Sequence, residues 1–123
     1  MSVNGAVGGT LVVVSTPNYV PLPDIAEALD LIITKAHQLI KDGQLIAVRR
    51  DGALRVPAEF VQDGLIVKSL PGTITLLRDA GFEDQEIIDW LFTEDEALPG
   101  TPIQALRENR GTEIKRRAQA SGF

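Results

Sequence analysis

The strongest constraint on this chain is the dipeptide Asp51-Gly52, set between two β-prone runs at residues 44–50 and 53–57. An Asp-Gly pair in that setting selects a two-residue hairpin turn. A type I′ turn needs positive φ at both central positions, and these residues adopt it at least cost. A hairpin alone is marginal in water, so other elements must back it. Upstream the apolar period changes from two to 3.6. Pro17, Pro21 and Pro23 hold the chain extended, and Pro23 suits the first turn of a helix, where a missing N–H costs nothing. The pattern predicts a first helix over 23–29, burying Ile25, Ala26 and Leu29. It predicts a turn at Asp30, a residue that tolerates left-handed backbone. A second helix is predicted over 33–42, stopped by Gly43.

At 100° per residue, Ile32, Ile33, Ala36, Leu39 and Ile40 share one face of that second helix and are expected to be core. Thr34, His37, Gln38 and Lys41 share the other, with Lys35 at its flank. Arg49, Arg50 and Arg55 lie at the hairpin tip or along its stems. Two short helices, a tight turn and an arginine-bearing hairpin have the layout of a winged helix-turn-helix, expected over 17–60. Such a helix enters the major groove of duplex DNA while the wing lies along the neighbouring backbone or minor groove. Thr34, His37 and Gln38 are the candidates for base contact. Gln bridges adenine through paired hydrogen bonds, and Thr touches a thymine methyl or a phosphate. Lys35, Lys41, Arg49, Arg50 and Arg55 are the candidates for phosphate.

Charge distribution agrees with that division. The net charge of −5 argues against a non-specific nucleic-acid coat. Residues 1–57 balance five acids with five bases, and all five bases fall between 35 and 55. Residues 58–98 hold ten acids and two bases, and residues 99–123 two acids and five bases. The acidic segment therefore keeps DNA to one face. Arg107, Arg110, Lys115, Arg116 and Arg117 either pair with that segment or add phosphate contacts.

From residue 58 onward the period is helical, and a helical C-terminal domain is expected over 61–123. AEFVQDG reads as a short helical turn or connector. SLPGTITLLRDAG reads as a helix with Ser69 as N-cap and Gly81 as its stop. FEDQEIIDWLF reads as a second helix, with first-turn acids that complement its dipole. TEDEALPG reads as a loop, and two further helices follow. The stripe Leu76, Leu77, Phe82, Ile87, Trp90 and Leu91 packs on the winged domain or the last helix, or serves as a homodimer interface, which would match two-fold operators.

Other chemistries find little support. With no cysteine there is no disulfide and no thiolate metal site, which suits a reducing cytoplasm. His37 is the only histidine, too isolated to anchor a metal or a catalytic base. GAVGGT lacks the Gly-Lys-Ser/Thr of a phosphate loop. The carboxylates at 83–96 lack the alternating acids and glycine of a calcium loop. No nucleophile, base and orienting acid can be assembled, so the chain reads as a non-enzyme that needs no cofactor. Residues 1–16 read as a flexible tail whose apolar run at 11–14 is neither a secretory signal nor a membrane span. Thr10 in this tail is a candidate phosphorylation site, where a charge of about −2 would repel phosphate.

Two resemblances follow. Ile25-Ala26, Leu29, the Lys41-Asp42-Gly43-Gln44-Leu45 run, Ala47, Arg49 and Arg55-Val56-Pro57 resemble the excisionase and MerR-type winged helix. The departures are Asp30 where glycine is usual and Ile32 where a capping serine is usual. VKSLPG at 67–72, TITLLRDAGF, EIIDWLFT at 86–93, the proline-plus-Ala-Leu element at 102–106 and RRAQA at 116–120 are similar to a small actinobacterial DNA-binding protein family. That likeness covers nearly everything after residue 18. It implies a winged helix-turn-helix joined to a C-terminal helical domain, double-stranded DNA binding and transcriptional regulation, with no catalytic residues to carry over. WLFTEDEALPGTPIQAL also faintly resembles part of certain antitoxins. The alternative reading is therefore a protein-interaction module, antitoxin-like or adaptor, built on a degenerate helix-turn-helix.

Overall fold

The computed structural model describes residues 16–94 and 100–121. Strand β1 (Tyr19–Pro21) leads into helix α1 (Leu22–Ala28), and α2 (Ile33–Lys41) follows after a turn. The wing is β2 (Val48–Arg50) and β3 (Ala53–Pro57). A single 3-10 turn (Ala58–Phe60) joins it to a small hairpin, β4 (Val61–Gln62) and β5 (Leu65–Ile66). Among the described residues that follow, the helices are α3 (Leu70–Asp79), α4 (Asp84–Leu91), α5 (Pro102–Arg107) and α6 (Gly111–Ser121). The class is mixed helix and strand, a winged helix-turn-helix with a helical C-terminal region.

Asp51 and Gly52 both take positive φ, 53° and 78°, as a type I′ turn demands. The turn sets the β2–β3 register, pairing Arg50 with Ala53 and Val48 with Arg55. β1 adds to the other side of β3 in antiparallel register, Val20 opposite Val56, so β3 is the middle strand. Asp30 adopts φ 58°, supplying the left-handed residue that the helix-turn-helix bend requires, and Gly43 stops α2 at φ 77°.

Several expectations need correction. The short helical turn expected at 58–64 is confined to Ala58–Phe60, and residues 61–66 form the β4–β5 hairpin instead. Its turn is again Asp-Gly, with Asp63 at φ 54° and Gly64 at 77°. Ser69 occupies the N-cap of α3, but its side chain makes no capping bond, and its own φ is 70°. Ile32 and Ile33 are not core: they are 67% and 41% exposed. Ile32 is the N-cap of α2 with extended backbone (φ −75°, ψ 158°), so helical periodicity does not govern its direction. Ala36 alone is fully buried on α2, with Leu39 and Ile40 half-buried against the core.

One continuous core joins the two halves. Ile25, Leu45 and Val56 belong to the same buried cluster as Leu70, Leu77, Ile87 and Ile114. Phe60, closing the wing, meets Phe92 just after α4 with ring centroids 6.1 Å apart. Helix α6 lies along α3. Leu77, Ile87 and Leu91 are completely buried in this core and Leu76, Phe82 and Trp90 pack partly buried against it, the first of the two alternatives for that stripe. No helix among the described residues is long and apolar enough to cross a membrane.

Candidate nucleic-acid interface

The polar face of α2 follows from its sequence. With Ala36, Leu39 and Ile40 turned inward, the opposite side carries Thr34, His37, Gln38 and Lys41, and each of them is exposed. Lys35 is exposed as well. Gln38 Nε2 donates to Asp42 Oδ1 at 2.8 Å, a bond one helical turn long. Pairs of this kind contribute only about 0.2–0.5 kcal/mol on an open helix, so the Gln38 amide is held weakly.

The wing separates its three arginines by strand alternation. Side chains of successive strand residues point to opposite faces, and paired residues point to the same one. Arg49 pairs with Leu54, on the face that carries Val56 into the core. Arg50 and Arg55 stand on the other, outer face. There Arg50 reaches across β3 to Tyr19, its guanidinium carbon 4.3 Å from the ring centroid. Arg55 Nε donates to the Arg50 carbonyl at 3.3 Å. Arg49 Nη1 donates to the Gly52 carbonyl at 3.4 Å, tying it to the tip. These contacts hold the side chains in place without neutralising them. Among the described residues, no ion pair involves Arg49, Arg50 or Arg55.

The C-terminal cations are used differently. Arg78 pairs with Asp84 at 2.6 Å. Arg110 pairs with Glu108 at 3.3 Å and Glu113 at 3.1 Å, so it is held by neighbours in its own segment and not by the acidic segment before it. Arg107 Nη1 donates to the carbonyls of Glu59 at 2.8 Å and Val61 at 3.0 Å. Arg107 and Arg110 are thus structural, while Lys115 and Arg116 are exposed on α6. A shallow depression at the base of β2 brings Val48 and Arg49 beside Arg78, Glu83 and Asp84. The start of α4 therefore sets Glu83 and the Arg78–Asp84 ion pair against the Arg49 side of the wing.

Thr10, the candidate phosphorylation site, lies outside the described residues. No group of three His, Cys, Asp or Glu side chains among the described residues is placed to hold a metal ion. Sequence reasoning missed Tyr19, because nothing in its local pattern indicates that a strand on the far side of β3 will bring it under Arg50. It also missed the exposure of Ile32 and Ile33.

Residues 11–61 match the family described as DNA-binding protein Rv2175c, wHTH domain. Residues 67–122 match the Rv2175c C-terminal domain of unknown function. The chain belongs to the Rv2175c family. DNA-binding protein Rv2175c of Mycobacterium tuberculosis (strain ATCC 25618 / H37Rv) is 40% identical over 120 residues, covering 87% of this chain and 82% of that protein. The NMR structure of Rv2175c matches with a TM-score of 0.78 at 34% identity, covering 98% of this chain and 100% of that one. The actinobacterial family read from VKSLPG, EIIDWLFT and RRAQA is the Rv2175c family, and both of its domains are present here.

Proposed function

We propose that this chain binds double-stranded DNA and acts in the cytoplasm as a transcriptional regulator, with α2 in the major groove and the outer face of the wing on the adjoining backbone. One observation carries the reading. In a chain of net charge −5, Arg50 and Arg55 are positioned side by side with no acidic partner among the described residues. Fixed, unneutralised guanidinium groups are what a phosphate backbone rewards, through Coulomb attraction and counterion release. The name of the mycobacterial relative, DNA-binding protein, supports the same reading.

The wing's alternation orders the arginines. Arg50 and Arg55 contribute most to affinity, and Arg49, bordered by Glu83 and Asp84, contributes less. Fluorescence anisotropy on a random duplex at several salt concentrations tests this. The double variant Arg50→Ala/Arg55→Ala is expected to bind about tenfold more weakly at low salt, with a log–log salt slope shallower by about two. Arg49→Ala is expected to change both less. Unchanged affinity and slope in the double variant would overturn the proposal.

One observation favours a second reading, a protein-interaction module. Leu31 and Leu65 are 37% and 69% exposed and, with Leu29, Leu39 and Ile66, line an apolar depression of about 540 Å³. Absence of duplex binding, together with one stoichiometric protein partner lost on Leu65→Asp, would favour it. A homodimer through the C-terminal helices is a separate proposal, which only the partly buried Leu76, Phe82 and Trp90 of that stripe could serve.

A further inference from the structure

We infer that Ile32 and Ile33 are specificity residues that read thymine methyl groups at the start of the recognition helix. The inference rests on the DNA-binding reading above and extends it to two residues whose chemistry is unlike the rest of the interface.

Large aliphatic side chains are normally withdrawn from water, yet Ile32 is 67% exposed and Ile33 is 41% exposed. Their position is distinctive. Ile32 is the extended N-cap of α2 and Ile33 the first helical residue, at the end of a recognition helix whose side chains reach base edges. Ile33 precedes His37 by one helical turn, so it borders the polar face that also presents Thr34, Gln38 and Lys41. The first turn of α2 carries no acidic residue to repel the backbone on approach.

The two isoleucines are also distinct from the other exposed apolar surface. Leu31 joins Leu29, Leu39 and Leu65 around the depression described above, and neither Ile32 nor Ile33 lines it. Within the major groove the base pairs display donors, acceptors and one apolar feature, the C5-methyl of thymine. An apolar pair at the leading end of the helix therefore discriminates thymine from cytosine, which lacks that methyl. Isoleucine suits the task because its β-branch restricts χ1, so little rotamer freedom is lost on contact. The usual residue at position 32 in the excisionase and MerR-type pattern, serine, would cap the helix. Here that capping acceptor is replaced by an apolar side chain, and no side chain caps α2.

The test uses the full chain and a duplex that it selects from a random pool, made once with thymine and once with uracil at every thymine of the footprint. Uracil pairs identically and removes only the methyl. The unmodified protein is expected to bind the uracil duplex more weakly, by about fourfold for each methyl contacted. Ile32→Ala/Ile33→Ala should lose affinity for the thymine duplex and bind both duplexes nearly equally. Equal affinity of the unmodified protein for the two duplexes would overturn the inference without any reliance on the variant's folding. So would a double variant that keeps the original thymine-to-uracil ratio. Failure of the unmodified protein to bind any duplex would overturn the DNA-binding reading itself, and this inference with it.

Discussion

Arg50 and Arg107 put the same guanidinium to opposite uses. Arg50 stacks on Tyr19 and keeps its charge available. Arg107 is half-buried and spends its donors on two carbonyls of the chain, those of Glu59 and Val61. Those carbonyls lie where the wing gives way to the second hairpin, so Arg107 pins α5 to the winged domain. Replacing it with alanine leaves both acceptors short of a partner. Arg107→Ala is expected to lower stability by about 2 kcal/mol, measured by urea denaturation, with duplex affinity unchanged under native conditions. A variant as stable as the parent would show that these bonds contribute nothing net. Sequence alone could not separate the two arginines, because both lie in segments with a surplus of bases. Only the fold decides which carbonyls come within reach.

At the scale of elements, the Asp-Gly turn is the feature on which the wing depends. A Cβ built at Gly52 meets no atom within 4 Å, so any cost of substitution there is backbone strain at φ 78° and not crowding. Gly52→Val is expected to cost about 1–2 kcal/mol and to weaken duplex binding by loosening the strands that hold Arg50 and Arg55. Gly52→Asn, which tolerates left-handed backbone, should retain most of both properties. Equal stability of the valine and asparagine variants would contradict this account. The same turn signal, Asp63-Gly64, is present in the sequence but does not by itself disclose a hairpin. Its flanking strands are only two residues each, too short to show an alternating pattern. The helices were legible because their apolar periods are long, while α2's first residues were not. Periodicity assumes helical backbone, and Ile32 stands just outside it. Asp30 in place of the usual glycine was legible in outcome, since its φ of 58° provides the same bend.

Across the whole molecule, charge is sorted over one shared core. Among the described residues, the bases on the exposed face of α2 and the outer face of the wing form no ion pair. Glu83 and Asp84 at the start of α4 mark the border beside Arg49. Segregation was visible in the sequence as a balanced first segment and an acidic second one. The position of that border was not, because it depends on how α4 packs against the base of β2. The arrangement implies a footprint confined to one side of the molecule. Amide chemical-shift perturbation on adding duplex to the full-length protein tests that claim most directly. The account predicts the largest shifts at residues 32–41 and 49–55, with α4, α5 and α6 nearly unmoved. Largest shifts on the C-terminal helices, or none anywhere at saturating duplex, would contradict it.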